Sequence, residues 1–231
     1  MRSIWSIDDV QKQEKRESLP EHIPAAVIGG GMAGILCAWF LKESGVDTVV
    51  LEAETIGSGQ TGRTTAKITS QHGRIYSRLA ETLGMETAIR YAHASQAAID
   101  QYERLINSEG IQCGFQRLPS YLYTECEEGM KKLEQERSAA VRAGIPASIV
   151  FDTGLPFPVK MALRYENQAQ FDPIAFLYGL SDSLKICQHT RVLQVKGHEI
   201  RTSRGIVKAE HIVFAAHFPF PRWPGFYSSR M

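Results

Sequence analysis

The chain has 231 residues, 43% hydrophobic and 22% charged, with 26 basic and 25 acidic side chains and a formal net charge of +1. That balance suits a soluble globular protein with a sizeable core, and it supplies no global field to recruit nucleic acid or an acidic membrane. No stretch approaches the roughly 18 apolar residues of a membrane span, and the polar opening MRSIWSIDDVQKQEKRE has no signal-peptide core.

Residues 1 to about 23 are charged and aperiodic and read as a lead-in arm, with Trp5 expected to pack on the domain surface. From Ala25 to Gly29 a short apolar run, AAVIG, predicts a buried parallel strand. Glycines come next, then a helix from Met32 to about Ser44, with Gly45 as its stop. DTVVLEA, residues 47–53, predicts a second buried strand. A strand, a glycine turn, a helix and a strand within about 30 residues have the size of a mononucleotide-binding half.

Residues 55–72 are rich in Gly, Thr and Ser and read as a loop that becomes helical late. Residues 74–109 are helical in pattern, with breaks at Gly84 and Gly110. CGFQRL and SYLYTE, separated by Pro119, predict two strands. Glu127 to Ala143 reads as a charged amphipathic helix whose Glu134, Glu136 and Arg137 lie on a solvated face. After a Pro-rich loop at 155–158 comes a strand, VKMALRYE. Asp172 and Pro173 suit the N-cap and first turn of a helix running to about Leu184. RVLQVKG, HEIRTS and HIVFAAH predict closing strands, with a turn at Ser203–Gly205.

Gly29-Gly30-Gly31-Met32-Ala33-Gly34 fits G-x-G-x-x-G between the first strand and the first helix. Gly29 permits the tight turn, Gly31 lets backbone approach a pyrophosphate, and Gly34 lets the helix pack close to the strand. The pyrophosphate then meets free N–H groups at the positive end of the helix. Glu52 closes the second strand, where its carboxylate can accept hydrogen bonds from both ribose hydroxyls. The same charge opposes a 2′-phosphate, and Ala53 and Glu54 offer no arginine to compensate, so NADP is disfavoured. The cysteines Cys37, Cys113, Cys126 and Cys187 form no C-x-x-C or C-x-H pair. No metal site is therefore expected within the chain, and reduced thiols in a cytoplasm are.

The βαβ unit alone does not choose between NAD and FAD. Gly57-Ser58-Gly59-Gln60-Thr61-Gly62-Arg63-Thr64-Thr65-Ala66 comes directly after it, with small residues that can approach a flat ring and donors that can reach ring or phosphate oxygens. An extended FAD suits such a segment better than the next βα unit of a nicotinamide domain does.

The stretch IPAAVIGGGMAGILCAWFLKESGVDTVVLEAETIGSGQTGRTTAKIT resembles the start of the D-amino-acid oxidase-like FAD-dependent oxidoreductases, closest to the glycine and sarcosine oxidase branch. GSGQTGRTTAKITSQHG is also similar to a bacterial subgroup fused to a C-terminal Rieske domain. QFDPIAFLYGL, RVLQVKG and HIVFAAHFPF resemble the family's second pass through the FAD domain. The resemblance implies that Gly29, Gly31, Met32, Ala33 and Gly34 hold the pyrophosphate and Glu52 the ribose. It places Gly62, Arg63, Thr64, Thr65 and Ala66 along the pyrophosphate and flavin, and Val192, Ala215 and Ala216 on the adenine side. Many relatives have Ala-Thr-Gly where this chain has Ala215-Ala216-His217.

The fold so implied is α/β, a Rossmann-like FAD-binding domain split in sequence with an α+β insertion. Its parts are an arm at 1–23, an FAD domain at 24–80 and 170–231, and a helical, partial substrate domain at 81–169. Family members are longer, so the chain reads as C-terminally truncated, without the elements that close over the flavin. The implied activity is oxidation of a C–N bond of a small amine or amino acid by hydride transfer to flavin N5. An inactive FAD-binding fragment and an NAD-binding reductase module are the alternatives. Neither a membrane nor a nucleic-acid partner is expected. His72 reads as a solvated histidine rather than a flavin attachment point. Arg117, Arg164, Tyr121 and Tyr123 lie on the strands where an arginine–tyrosine pair could take a substrate carboxylate, although ordinary strand-surface roles are the plainer reading. Cys37 reads as core.

Overall fold

The computed structural model describes residues 17–217, so most of the expected arm, Trp5 included, lies outside the described residues. The chain divides into two compact units. The first comprises the described residues up to Thr65, Ile111–Cys113, and those from Asp172 onward; the second comprises Ala66–Gly110 and Gly114–Phe171. The chain thus enters the second unit at Ala66, upstream of the boundary at 80 expected from the sequence.

The first unit is built on a six-stranded sheet of order β7-β2-β1-β10-β9-β8. Its strands are β1 (His22–Ile28), β2 (Thr48–Leu51), β7 (Lys185–Cys187), β8 (Val192–Lys196), β9 (Glu199–Thr202) and β10 (Gly205–Phe214). The run β7-β2-β1-β10 is parallel, and β9 and β8 continue it antiparallel. Apolar runs such as TVVL in β2 are buried throughout, as expected of a central parallel strand. β1 starts at His22 rather than Ala25, running through Pro24, and its pairing with β2 begins only at Ala25. Upstream of that point it pairs with β10 alone, so the missing N–H of Pro24 breaks no ladder on the β2 side.

Helix α1 (Met32–Glu43) joins β1 to β2. Helix α5 (Pro173–Ser181) begins at Asp172, whose carboxylate accepts the N–H groups of Ile174 and Ala175. It stops at Ser181, short of the expected Leu184, because the chain turns there into β7. A core of Ile23, Ala26, Val49, Leu51, Cys187, Ile200, Val207 and Ala209 fills one part of this unit.

The second unit carries α2 (Ile75–Leu83), α3 (Met85–Ser108) and α4 (Glu127–Arg142), with β3 (Lys67–Ile68), β4 (Gln116–Thr124), β5 (Ala147–Val150) and β6 (Met161–Gln170). β6 pairs antiparallel with β3, β4 and β5. Gly84 separates α2 from α3 at φ +87, as expected from the sequence. CGFQRL and SYLYTE contribute to one strand, not two: Pro119 is absorbed by a register shift between Leu118 and Ser120. Residues 55–72 do not turn helical at their end. They hold a single 3-10 turn at Thr61–Arg63 and then strand β3. Ile75, Tyr76, Ala88, Ala92, Leu133, Ala140, Leu163 and Tyr165 share this unit's core.

Candidate dinucleotide site

The site begins where β1 runs out. Gly29 has φ +117, and a Cβ there would stand 2.9 Å from the carbonyl oxygen of Ala215. Only glycine makes that turn without strain. A Cβ on Gly34 would lie 1.9 Å from the Gly29 carbonyl oxygen, so this glycine sets how closely α1 approaches the strand. Gly31 differs from both: its Cβ would meet nothing within 4 Å except the Thr61 hydroxyl, at 3.3 Å. Two glycines therefore serve packing, and the third leaves open space before the helix.

Into that space α1 presents its first turn. The first N–H groups of a helix have no partner within the helix. Met32 N–H donates to the Thr61 hydroxyl at 3.0 Å. The N–H groups of Gly31 and Ala33 find no acceptor among the described residues. No acidic residue occupies the first turn, so the positive end of the helix is not neutralised from within. A pyrophosphate fits this arrangement by space, charge and donor supply.

Glu52 stands at the end of β2. One carboxylate oxygen accepts Gly30 N–H at 2.6 Å and the other accepts Glu54 N–H at 2.8 Å. A carboxylate has about four lone-pair sites, so two remain for ribose hydroxyls. The glycine turn and the acid are thereby locked to each other.

The segment after β2 is tied back to the turn. Gly57 N–H donates to the Gly30 carbonyl at 3.0 Å, and Gly62 N–H to the Gly57 carbonyl at 2.9 Å. Gly57 has φ +70 and its Cβ would stand 2.6 Å from Ile174 Cδ1. Gly62 and Arg63 lie in the 3-10 turn, Thr64 and Thr65 come after it exposed, and Ala66, at φ +59, opens the second unit. Ala215 N–H donates to the Ile28 carbonyl at 2.9 Å, which sets Ala215 beside the glycine turn, with Ala216 next and exposed. Val192 begins β8 two residues after Thr190, whose N–H donates to the Glu52 carbonyl at 2.8 Å. Gly57 and Thr61 read from the sequence only as members of the glycine-rich segment, without roles of their own, and Gln188 is not singled out there. A hydroxyl in a glycine-rich segment is a signal for Thr61, but nothing local marks Gln188.

In the second unit, Arg117 is engaged by the protein's own groups, as in the plainer reading of the sequence. Its Nη2 lies 2.7 Å from both Asp100 Oδ1 and Glu103 Oε2, and its Nη1 donates to the Asn167 carbonyl at 3.0 Å. Partial burial works against its charge, but the carboxylates of Glu103 and Asp100 outweigh this and hold its pKa above the ordinary value. Arg164 stands opposite Tyr121 in the sheet, with Nε 3.2 Å from Glu166 Oε1. Tyr123 rests against Phe157 at 5.6 Å between ring centroids. His72 Nδ1 lies 2.8 Å from the Tyr91 hydroxyl, and burial, with Lys67 nearby, lowers its pKa.

Glu136 is not on a solvated face. It is fully buried and accepts Tyr76 N–H at 3.0 Å, Ser77 N–H at 2.8 Å and the Tyr165 hydroxyl at 3.3 Å. A carboxylate from α4 thus caps the start of α2, where no side chain of α2 does so. All four cysteines are free. Among the described residues no helix is long and apolar enough to cross a membrane.

A parallel sheet, a glycine turn feeding a helix N-terminus and an acid closing the next strand define a Rossmann-like dinucleotide fold. The model of the FAD dependent oxidoreductase family, DAO, matches residues 25–223, and the chain belongs to that family. The family's cofactor is FAD, as the motifs led us to expect. YhfW of Bacillus subtilis (strain 168), named as a Rieske 2Fe-2S iron-sulfur protein, is 34% identical over 214 residues, which cover 89% of this chain and 42% of that protein. Gamma-glutamylputrescine oxidoreductase of Escherichia coli (strain K12) is 23% identical over 206 residues, covering 83% of this chain and 48% of the other. Among solved structures, glycine oxidase from Bacillus cereus ATCC 14579 matches with a TM-score of 0.65 at 20% identity, covering 84% of this chain and 55% of its own, a likeness of fold. The chain spans between 42% and 55% of the length of these three proteins.

Proposed function

We propose that the first unit binds FAD and that the chain serves an oxidoreductase acting on a C–N bond of a small amine or amino acid. One observation carries the cofactor assignment. Among the described residues the N–H groups of Gly31 and Ala33 have no acceptor, a Cβ on Gly31 would meet only the Thr61 hydroxyl, and the Glu52 carboxylate is hydrogen-bonded to the same turn. In this reading Gly29, Gly31, Met32, Ala33 and Gly34 form the turn that holds the pyrophosphate, and the remaining lone pairs of Glu52 take the ribose hydroxyls. Gly62, Arg63, Thr64, Thr65 and Ala66 run along the pyrophosphate and flavin, and Val192, Ala215 and Ala216 flank the adenine. When bound, FAD supplies the hydride acceptor, its N5 atom. The second unit is then the helical, partial substrate domain. The substrate class rests on family membership and on relatives named for an amine and an amino acid. The free thiols of Cys37, Cys113, Cys126 and Cys187 support a reducing compartment.

The test is spectroscopic. Titrating the FAD-stripped protein with FAD is expected to give saturable binding, and anaerobic addition of amines or amino acids to reduce the flavin. Binding of NAD and not FAD would replace the cofactor assignment. Tight FAD binding with no reduction by any amine or amino acid would overturn the activity and leave a flavin-binding module.

A further inference from the structure

We infer that Gln188 is a positioning residue for the cofactor segment Gly57–Arg63, acting on Ile56 across 132 residues of sequence. The inference rests on the FAD reading above and adds a residue to it.

Beyond β2 the chain Glu52–Ile56 is stitched to Cys187–Thr190 by a run of hydrogen bonds. Glu52 N–H donates to the Cys187 carbonyl at 3.0 Å, Thr190 N–H to the Glu52 carbonyl at 2.8 Å, and His189 N–H to the Glu54 carbonyl at 2.9 Å. These continue the parallel pairing of β2 with β7. The last stitch is different. Ile56 N–H donates to the side-chain oxygen of Gln188 at 2.9 Å, and both residues are buried. With only a side chain for an acceptor, the buried N–H would be left unpaired by any residue without an oxygen there.

The chain beyond Ile56 gives this bond its reach. Gly57 N–H is the next donor and binds the Gly30 carbonyl in the glycine turn. The Gly57 carbonyl then receives Gly62 N–H, closing the segment that sets Thr61 against Met32 N–H. Gln188 therefore fixes the point where the chain leaves the sheet, and that point sets the register of the whole segment against α1. His189 sits at φ +52, a backbone state uncommon for a non-glycine residue, and its N–H to Glu54 helps hold it there. The Glu52 carboxylate is pinned by other groups, Gly30 and Glu54 N–H. The clamp thus acts on the segment and not on the ribose-side acid.

That separation sets the experiment. Gln188→Met keeps the volume of the side chain and removes the acceptor. FAD affinity is expected to fall about tenfold, because binding must then order a segment that one buried hydrogen bond no longer holds, whereas ADP, which carries adenosine and pyrophosphate but no flavin, loses less than about threefold. A residue of purely structural importance would weaken both alike. Equal losses for FAD and ADP, or unchanged FAD affinity, overturn the inference. Should the variant not fold, amide exchange on the wild-type protein without FAD decides: the Ile56 N–H is expected to exchange as slowly as those of β1, and exchange at the rate of an open loop overturns the clamp. Failure of the wild-type chain to bind FAD at all would strike the cofactor reading and leave this exchange result standing.

Discussion

The Glu52 carboxylate accepts the Gly30 N–H at 2.6 Å, so the acid at the end of β2 and the glycine turn after β1 form one hydrogen-bonded piece. Glu52→Ala is expected to act twice. It removes the acceptor for the ribose, weakening FAD binding by about 1–3 kcal/mol, and it frees the turn, lowering the melting temperature of the FAD-free protein. Titration and thermal denaturation of the same preparation check both. Unchanged affinity would leave Glu52 as a brace for the turn alone.

Gly31 and Gly34 are expected to separate binding from folding. A Cβ on Gly34 would lie 1.9 Å from the Gly29 carbonyl oxygen, against backbone that has no rotamer to yield. Gly34→Ala should cost at least about 1–3 kcal/mol of stability. Gly31→Asp meets only the Thr61 hydroxyl within 4 Å of its Cβ, so the fold should survive while the added charge repels the pyrophosphate. Denaturant unfolding beside flavin content tests the pair. A Gly31→Asp protein that retains its flavin would refute the phosphate assignment.

Glu136 caps α2 from another helix, and its loss should be costly although it lies in neither the turn nor the segment. Glu136→Ala leaves the N–H groups of Tyr76 and Ser77 buried without their acceptor. A loss of about 2–5 kcal/mol is expected from two such donors. Urea unfolding measures it. A change within about 0.5 kcal/mol, usual for a surface site, would show that the carboxylate is not engaged in solution.

The same cluster should make the protein sensitive to alkali. Burial pushes the Tyr76 hydroxyl up to about 12, from an ordinary 10.0, opposed by its hydrogen bond to Ser70 and aided by Tyr91 and Glu136. Burial, with Glu136 second, raises Tyr165 as well. The unfolded chain then releases these protons first, so the stability they confer is present below pH 10.0 and is lost as pH rises toward about 12. Unfolding free energies measured across that window should fall more steeply for the wild type than for Tyr76→Phe. Parallel slopes would rule Tyr76 out.

Local motifs were the legible part of this protein. The glycine turn, α1 and Glu52 lie within one short stretch, and each glycine answers to a steric demand made nearby. Pairings made by distant chain were not legible. β5 and β7 are four and three residues long, too short for an alternation to register, and exist because β6 and β2 offer edges. Glu136 reads as solvated from its charged neighbours and is buried by the donors of α2. Arg117 reads as a strand residue with ordinary partners, but which partners was not legible, because Asp100 and Glu103 reach it from α3. Gln188 has no local signature at all, because its importance comes from an N–H on a strand end placed by folding.

β1 takes β2 on one side, from the adjacent stretch of sequence, and β10 on the other, from the opposite end of the described chain. During synthesis the first βαβ unit therefore emerges with an open edge, a template for unwanted strand pairing. Gly29 still lacks the Ala215 backbone beside which its turn is made. Closing so long a loop is the slow step of such topologies. Cofactor capture must wait for it, and a nascent chain stalled before Gly205 should stay aggregation-prone and flavin-free where the released chain does not.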